Sequence, residues 1–226
     1  RLPCVSGKDS MKNDYGKGEN KISIPPTLLF SLFGDHPDVR YTATSDLKDH
    51  GERLYLVGTS HDELGASEIS FMLREENDSI GIGGNVPKLE NPQNNLSTYR
   101  ALSKSIRSGL VKTSHDCSEG GVAVAIAEMC IGGRIGAIID VDGTGDDSLW
   151  ARLWGESLGR FIVGVKPENE HDWLKSMSGH TITYLGETTQ QENLVIRDGF
   201  DEIIDLNVSD MVNSWQNTLD MTGGGK

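Results

Sequence analysis

Residues 111–131 constrain the fold of this chain more than any other segment. An apolar, strand-like run at residues 111–114 leads into a polar loop with two adjacent glycines, and a helical pattern follows at residues 121–131. The apolar positions of that pattern recur at helical spacing and predict one buried face: Val122, Ala125, Ile126 and Met129. A strand that leads through a glycine turn into a helix is typical of an α/β domain.

The same alternation of helices and strands continues through the chain after Gly58. Its apolar patterns predict strands at residues 135–141, 161–165 and 181–185, and helices at residues 96–110, 147–154 and 208–219.

Before Gly58 the apolar runs are strand-like instead, at residues 2–5, 22–33 and 54–57. Pro25 and Pro26 interrupt the second run, so we expect them at a sheet edge or a bulge. The change in pattern near Gly58 predicts a domain boundary there. We therefore expect a β-rich partial domain at residues 1–58 and an α/β domain at residues 59–226.

The acidic composition narrows the possible partners. A formal net charge of −13 argues against non-specific nucleic-acid binding, because an acidic surface repels the phosphate backbone. It leaves a nucleotide site possible, since carboxylates can hold a metal ion that in turn holds phosphates. No run of residues is long and apolar enough to span a bilayer.

The cysteines and the first residues indicate where such a chain is found. Cys4, Cys117 and Cys130 have no metal-ligand spacing, and so sparse and odd a count favours a reducing cytosol over a disulfide scaffold. Residues 1–5 resemble neither a signal peptide nor a normal initiation, and we interpret the chain as a piece of something longer.

The loop at residues 114–121 is the strongest candidate site, and two interpretations of it remain open. In the first, the free N–H groups at the helix N-terminus bind phosphate, Gly120 and Gly121 allow close approach, Asp116 binds Mg²⁺, and the Ser118 hydroxyl contacts a phosphate oxygen. In the second, Ser118 merely caps the helix and the glycines allow tight packing. His115, beside Asp116, is expected to be structural.

A second candidate is the segment at residues 6–10, which follows a strand-like run. Gly7, Lys8 and Ser10 form a loop in which backbone N–H groups and an ammonium could meet a phosphate or a carboxylate. The alternative is a polar turn with a solvated lysine.

Two further segments carry weaker patterns. Residues 63–68 are interpreted as an ordinary helix start. Residues 154–161 join a helix to a strand, and either Glu156 or Arg160 could face a ligand there.

Four segments, in this order, resemble the phosphoribosylformylglycinamidine synthases of the aminoimidazole ribonucleotide synthetase superfamily: residues 3–10, 22–29, 115–123 and 155–161. In that family each synthetase unit pairs a barrel-forming N-terminal half with an α/β C-terminal half. The resemblance implies that residues 1–58 end the second barrel-forming domain and that residues 59–226 are the second C-terminal-type domain, with a mixed sheet and helices.

The resemblance also implies roles for individual residues. Gly7 would contact ATP, and Ser10 would contact formylglycinamide ribonucleotide. Lys8 occupies a position that holds a metal-binding asparagine in some members; a charged lysine cannot ligate Mg²⁺, so we expect it to contact phosphate.

For the later loop, the resemblance implies that Asp116 holds Mg²⁺ and that Ser118 holds a nucleotide, an auxiliary ADP in the larger members. Ala66 replaces a glycine of the family pattern, so no site is assigned to its loop. No catalytic residue is expected, because the family keeps its catalytic histidines in the other unit.

The activity implied is an ATP-dependent C–N ligation in purine biosynthesis, in which formylglycinamide ribonucleotide becomes the amidine with glutamine-derived ammonia. The implied partners are the remaining synthetase domains and a glutaminase domain or subunit. Exposed barrel edges could also lead this chain to form a homodimer. Two alternatives remain: a non-catalytic ADP-binding module, or another member of the superfamily.

Overall fold

The computed structural model describes residues 4–8, 14–23, 29–36, 38–77, 84–89, 91–146 and 148–217. The chain divides into two compact units, Arg1–Arg40 and Tyr41–Lys226. In the first unit, strand β1 (Cys4–Lys8) pairs antiparallel with β4 (Leu29–Leu32), and β2 (Asp14–Tyr15) pairs antiparallel with β3 (Ile22–Ser23). The run expected as one strand at residues 22–33 thus contributes to two sheets, and Pro25 and Pro26 lie outside the described residues.

The second unit is built on a seven-stranded sheet. Its strands are β5 (Arg53–Val57), β6 (Val111–Asp116), β7 (Gly136–Asp140), β8 (Phe161–Val165), β9 (Ile182–Thr189), β10 (Asn193–Asp198) and β11 (Asp201–Asn207). Their order across the sheet is β11-β10-β7-β9-β5-β8-β6. Only the β7–β10 pair is parallel among these strands, so the sheet is mixed, as expected.

Six helices accompany this sheet in the described part of the chain. They are α1 (Glu68–Asn77), α2 (Pro92–Arg107), α3 (Gly121–Gly133), α4 (Leu149–Trp154), α5 (Glu170–Ser176) and α6 (Val208–Gln216). The helices expected from the apolar patterns correspond to α2, α3, α4 and α6. The side chain of Asn91 caps α2 by accepting a hydrogen bond from the N–H of Asn94 at 3.0 Å.

The side chains of β5 show why helices pack on both faces of the sheet. Leu54 and Leu56 belong to the core cluster that contains α3 and α6, whereas Tyr55 and Val57 belong to the cluster that contains α2 and α5. Successive strand residues point to opposite faces, so an almost uninterrupted apolar run is what a sheet covered on both faces requires. The fold of this unit is therefore a three-layer α/β arrangement.

The position of β5 also determines where the compact units divide. This strand is hydrogen-bonded on one side to β8 and on the other to β9, inside the sheet of the second unit. The division therefore falls between Arg40 and Tyr41 rather than at the boundary expected near Gly58.

Two elements of the second unit were not expected from the sequence, α5 and the β10–β11 hairpin, whereas the start of α1 was expected at residues 63–68. Most residues of β11 are exposed and three of them are acidic, so that strand lacks the apolar alternation on which a sequence-based prediction depends. In the part of the chain that the structure describes, no helix has both the length and the apolar character to cross a membrane.

Candidate functional site

The loop between β6 and α3 places a charged carboxylate at the end of an edge strand. Asp116 is the last residue of β6, and its side chain is 60% exposed. The hydroxyl of Ser118 donates a hydrogen bond to Asp116 Oδ2 at 2.5 Å. This bond is the main reason why the pKa of Asp116 is lowered from its ordinary value, so the carboxylate stays charged at neutral pH.

Ser118 does not cap α3 with its side chain. The N-cap of α3 is Gly120, at φ +77°, and a glycine has no side chain that could accept a capping hydrogen bond. Instead the Gly120 N–H donates to Glu156 Oε1 at 3.0 Å. The interpretation of Ser118 as a helix cap is therefore wrong, because its hydroxyl donates its hydrogen bond to Asp116.

Glu156 also binds the N-terminus of a second helix. Its Oε1 atom accepts a hydrogen bond from the N–H of Glu68, the first residue of α1, at 2.9 Å. One carboxylate oxygen thus joins the positive ends of α1 and α3, an arrangement that helix dipoles favour. Residue separations of 36 and 88 explain why local sequence patterns gave no sign of this role.

Gly121 is required for packing, as the second interpretation of this loop proposed. A Cβ at this position would lie 2.6 Å from the carbonyl oxygen of Gly155 and 2.7 Å from that of Leu153. The N-terminus of α3 therefore rests directly on the backbone that ends α4. A Cβ at Gly120 would likewise lie 2.3 Å from Cγ2 of Val124.

His115 lies between two carboxylates on the other side of this loop. Its Nε2 atom is 2.7 Å from Glu128 Oε2, and its Nδ1 atom is 3.4 Å from Asp116 Oδ1. These contacts tie the end of β6 to the middle of α3, which is the structural role expected of this histidine.

Arg160 is buried rather than facing a ligand. Only 1% of the residue is exposed, and its guanidinium donates to the carbonyl oxygens of Ser157 and Gly155 and to the hydroxyl of Ser60. Burial lowers its pKa. Its contacts hold together the turn that presents Glu156.

A cavity of about 350 Å³ brings the candidate groups together. Asp116, Ser118 and Glu156 line it together with Tyr99, Leu158 and Phe161, among others. The volume is within the range of small-molecule sites. The backbone N–H of Gly120, by contrast, is already bonded to Glu156, so the helix N-terminus does not present that donor to a ligand.

The residues of this cavity fit a magnesium ion that is held largely by a ligand and by water. The described residues contain no group of three or more histidine, cysteine or carboxylate side chains placed to hold a metal ion. Mg²⁺ needs no such cage, because it is usually bound by one or two carboxylates together with phosphate oxygens and waters. Asp116 is exposed and charged, and can serve as such a ligand.

The candidate residues of the earlier segment belong to the other compact unit. Gly7 and Lys8 were expected in a loop, but both lie within β1, where they pair with Phe30 and Leu29 of β4. Backbone pairing extends the strand beyond the short apolar run that predicted it. Ser10 lies outside the described residues.

The loop at residues 63–67 precedes α1, as its interpretation as a helix start requires. Ala66 adopts a left-handed conformation there, with φ +60°, and the Ser67 hydroxyl donates to the carbonyl oxygen of Leu64 at 2.7 Å. Glycine adopts that conformation without strain, which agrees with the glycine of the family pattern at this position.

Many curated proteins are similar to this chain, and one of them matches almost all of it. The phosphoribosylformylglycinamidine synthase subunit PurL of Deinococcus radiodurans is 31% identical over an alignment that covers 96% of this chain. This chain spans 29% of that relative's length.

Solved structures with the same fold include two of PurL from Thermotoga maritima. The structure complexed with FGAR is 17% identical to this chain, with a TM-score of 0.63, and the match covers 77% of this chain and 30% of the PurL chain. The structure complexed with ATP is 18% identical to this chain, with a TM-score of 0.59, and the match covers 82% of this chain and 28% of the PurL chain.

A family model places the chain directly. The model described as AIR synthase related protein, C-terminal domain, matches residues 49–199, which include β5 to β10 and the loop of Asp116. The chain therefore belongs to the AIR synthase related proteins, and its seven-stranded unit carries their C-terminal domain.

Proposed function

We propose that this chain is part of a phosphoribosylformylglycinamidine synthase and that the cavity at Asp116 binds ADP or ATP as its magnesium complex. The observation that carries the assignment of the enzyme is the 31% identity to the Deinococcus radiodurans PurL subunit across 96% of this chain. The cavity supports the nucleotide site, since it combines a charged exposed carboxylate, a hydroxyl and a suitable volume.

In the proposed reaction the γ-phosphoryl group of ATP is transferred to the amide oxygen of formylglycinamide ribonucleotide, with ADP as the leaving group, and ammonia then displaces inorganic phosphate from the resulting iminophosphate to leave the amidine. Bound Mg²⁺ would offset the negative charge of the phosphates. Asp116 would hold the ion and Ser118 would contact the nucleotide, while Gly120 and Gly121 keep the loop backbone close to it. In the first unit, Gly7 would contact ATP, Lys8 would contact phosphate and Ser10 would contact the ribonucleotide.

A binding role without turnover is the second candidate for the Asp116 cavity. Its ionisable groups are the carboxylates of Asp116 and Glu156 and the phenol of Tyr99, together with the buried Cys117 and Arg160. The Ser118 hydroxyl donates to Asp116, whose lowered pKa makes its carboxylate a weak general base. These contacts favour a site that holds an auxiliary ADP.

The proposal extends to the surroundings of the chain. We propose that it works in the cytosol with further synthetase domains and a glutaminase domain or subunit, and that the first compact unit, Arg1–Arg40, belongs to a barrel-forming domain. Cys117 and Cys130 are buried free thiols, which suits a reducing compartment. Homodimer formation through exposed strand edges is part of the same proposal.

Isothermal titration of ADP and ATP, with and without Mg²⁺, tests the nucleotide site. Wild-type protein should bind the magnesium complex, and Asp116→Ala should lose that binding. Asp172→Ala is the matched control, because Asp172 is also exposed but lies on α5 and lines no part of this cavity. Absence of binding by folded wild-type protein, or equal binding by both variants, would contradict the proposed site.

A further inference from the structure

The accessible charge of the Asp116 cavity is negative, which is unusual for a site that receives polyphosphate. The described residues that line it include two carboxylates, Asp116 and Glu156, but no lysine or histidine. Among the lining residues that the structure describes, Arg160 is the one cation, and it is 1% exposed, with Nε, Nη1 and Nη2 each donating to an oxygen of the protein.

The feature that would normally attract phosphate is already in use. A helix N-terminus binds anions through its free N–H groups and its dipole. Here the Oε1 atom of Glu156 accepts from the N–H of Gly120 and from that of Glu68. The protein thus supplies its own anion to the ends of α1 and α3, and an incoming phosphate meets a carboxylate there.

From these contacts we propose that Glu156 is a specificity-determining residue that makes the cavity select the metal complex of a nucleotide over the metal-free nucleotide. The inference rests on the proposed function, since it concerns the same cavity. Free ADP brings several negative charges toward Asp116 and Glu156. The magnesium complex places a cation beside Asp116 and lowers the net charge that Glu156 repels.

The variant Glu156→Gln isolates the charge from the hydrogen bonds. A glutamine Oε1 atom accepts from the same two N–H groups, so the arrangement of α1 and α3 is kept while the negative charge is removed. We expect the affinity for metal-free ADP to rise roughly five- to ten-fold at low salt, and the rise to shrink at high salt. The affinity for the magnesium complex should change by a smaller factor.

Glu119→Gln is the matched control. This substitution removes the same charge as Glu156→Gln. Glu119 lies one residue before Gly120 and is exposed, but it does not line the cavity. Metal-free inorganic pyrophosphate serves as a second probe, because it carries the phosphate charge without the nucleoside. It should bind Glu156→Gln more tightly than either wild type or Glu119→Gln.

Titration calorimetry on the three proteins, each checked for folding by circular dichroism, decides between the outcomes. If wild type binds ADP equally well with and without Mg²⁺, or if Glu119→Gln gives the same gain as Glu156→Gln, the role of Glu156 is overturned while the nucleotide site stands. If folded wild type binds neither form, the proposed nucleotide site is overturned as well. Should Glu156→Gln not fold, the salt dependence of wild-type affinity tests the same charge: affinity for metal-free ADP should rise with salt as the repulsion is screened, and a fall would overturn the role of Glu156.

Discussion

The guanidinium of Arg160 donates a hydrogen bond to the hydroxyl of Ser60 at 2.8 Å, across 100 positions of sequence. Ser60 follows β5 and Arg160 precedes β8, the strand that pairs with β5. The bond therefore joins the two loops at the same end of neighbouring strands. Both residues are buried, so water cannot replace either partner.

Replacement of Arg160 by lysine should destabilise the fold strongly. A lysine retains the charge, but it cannot reach Ser157, Gly155 and Ser60 at once from a single ammonium, and the buried acceptors lose their partners. We expect the free energy of unfolding to fall by about 2–4 kcal/mol, measured by urea denaturation. The control is Arg107→Lys on the exposed surface of α2, for which a loss of similar size would contradict this reasoning.

An alanine at Gly121 should be costly because its Cβ meets fixed backbone. The carbonyl oxygens of Gly155 and Leu153 lie 2.6 and 2.7 Å from that Cβ, and the residue has φ +66°. We expect a loss of roughly 2–4 kcal/mol in stability, from the steric clash together with the left-handed conformation.

Gly143→Ala separates the two contributions of that prediction. Gly143 also has a left-handed conformation, with φ +74°, but no atom lies within 4 Å of a Cβ placed there. It should lose only about 1–2 kcal/mol. Equal losses for the two variants in thermal or urea unfolding would show that the contact between α3 and α4 is not tight.

Replacement of Ala66 by glycine should stabilise the protein. Ala66 has φ +60°, a conformation that costs an alanine about 1–2 kcal/mol and a glycine almost nothing. After the greater unfolded-state entropy of glycine is counted, we expect a net gain of roughly 0.5–1 kcal/mol. In Ala101→Gly, within α2, the same replacement should instead cost about 1 kcal/mol. A loss of stability in Ala66→Gly would contradict the conformation described here.

The stability of the second unit should depend on pH through Glu52. The residue is 1% exposed, and burial raises the pKa of its carboxyl above the ordinary value of 4.5, although the N–H of Lys48 donates to it. Between 4.5 and the raised pKa the folded protein holds a proton that the unfolded chain has lost. The free energy of unfolding therefore falls as pH rises through this window.

Glu52→Gln removes this titration while keeping an acceptor for the N–H of Lys48. The variant should gain stability relative to wild type as pH rises from acid to neutral, as measured by urea unfolding at a series of pH values. Glu119→Gln, which removes an exposed carboxylate, is the control. A difference between Glu52→Gln and wild type that stays constant with pH would show that Glu52 does not titrate in this way.

The sequence by itself determined the succession of strand, loop and helix around residues 111–131 and the position of Ser118 in the loop, whereas Asp116, expected in the loop, ends β6 instead. Local periodicity carries that information, because each buried face is formed by residues a few positions apart. The order of four short segments also indicated the superfamily to which the chain belongs. Helices α2, α3, α4 and α6 were found for the same reason.

Tertiary structure alone decided which groups face the cavity and which are used inside the protein. Glu156 reaches Gly120 and Glu68 across 36 and 88 residues, and β5 becomes a central strand only through pairing with β8 and β9. Such contacts depend on how distant segments pack, which no local pattern encodes. For that reason the sequence left open whether Ser118 caps α3 and whether Arg160 faces a ligand, and packing settled both.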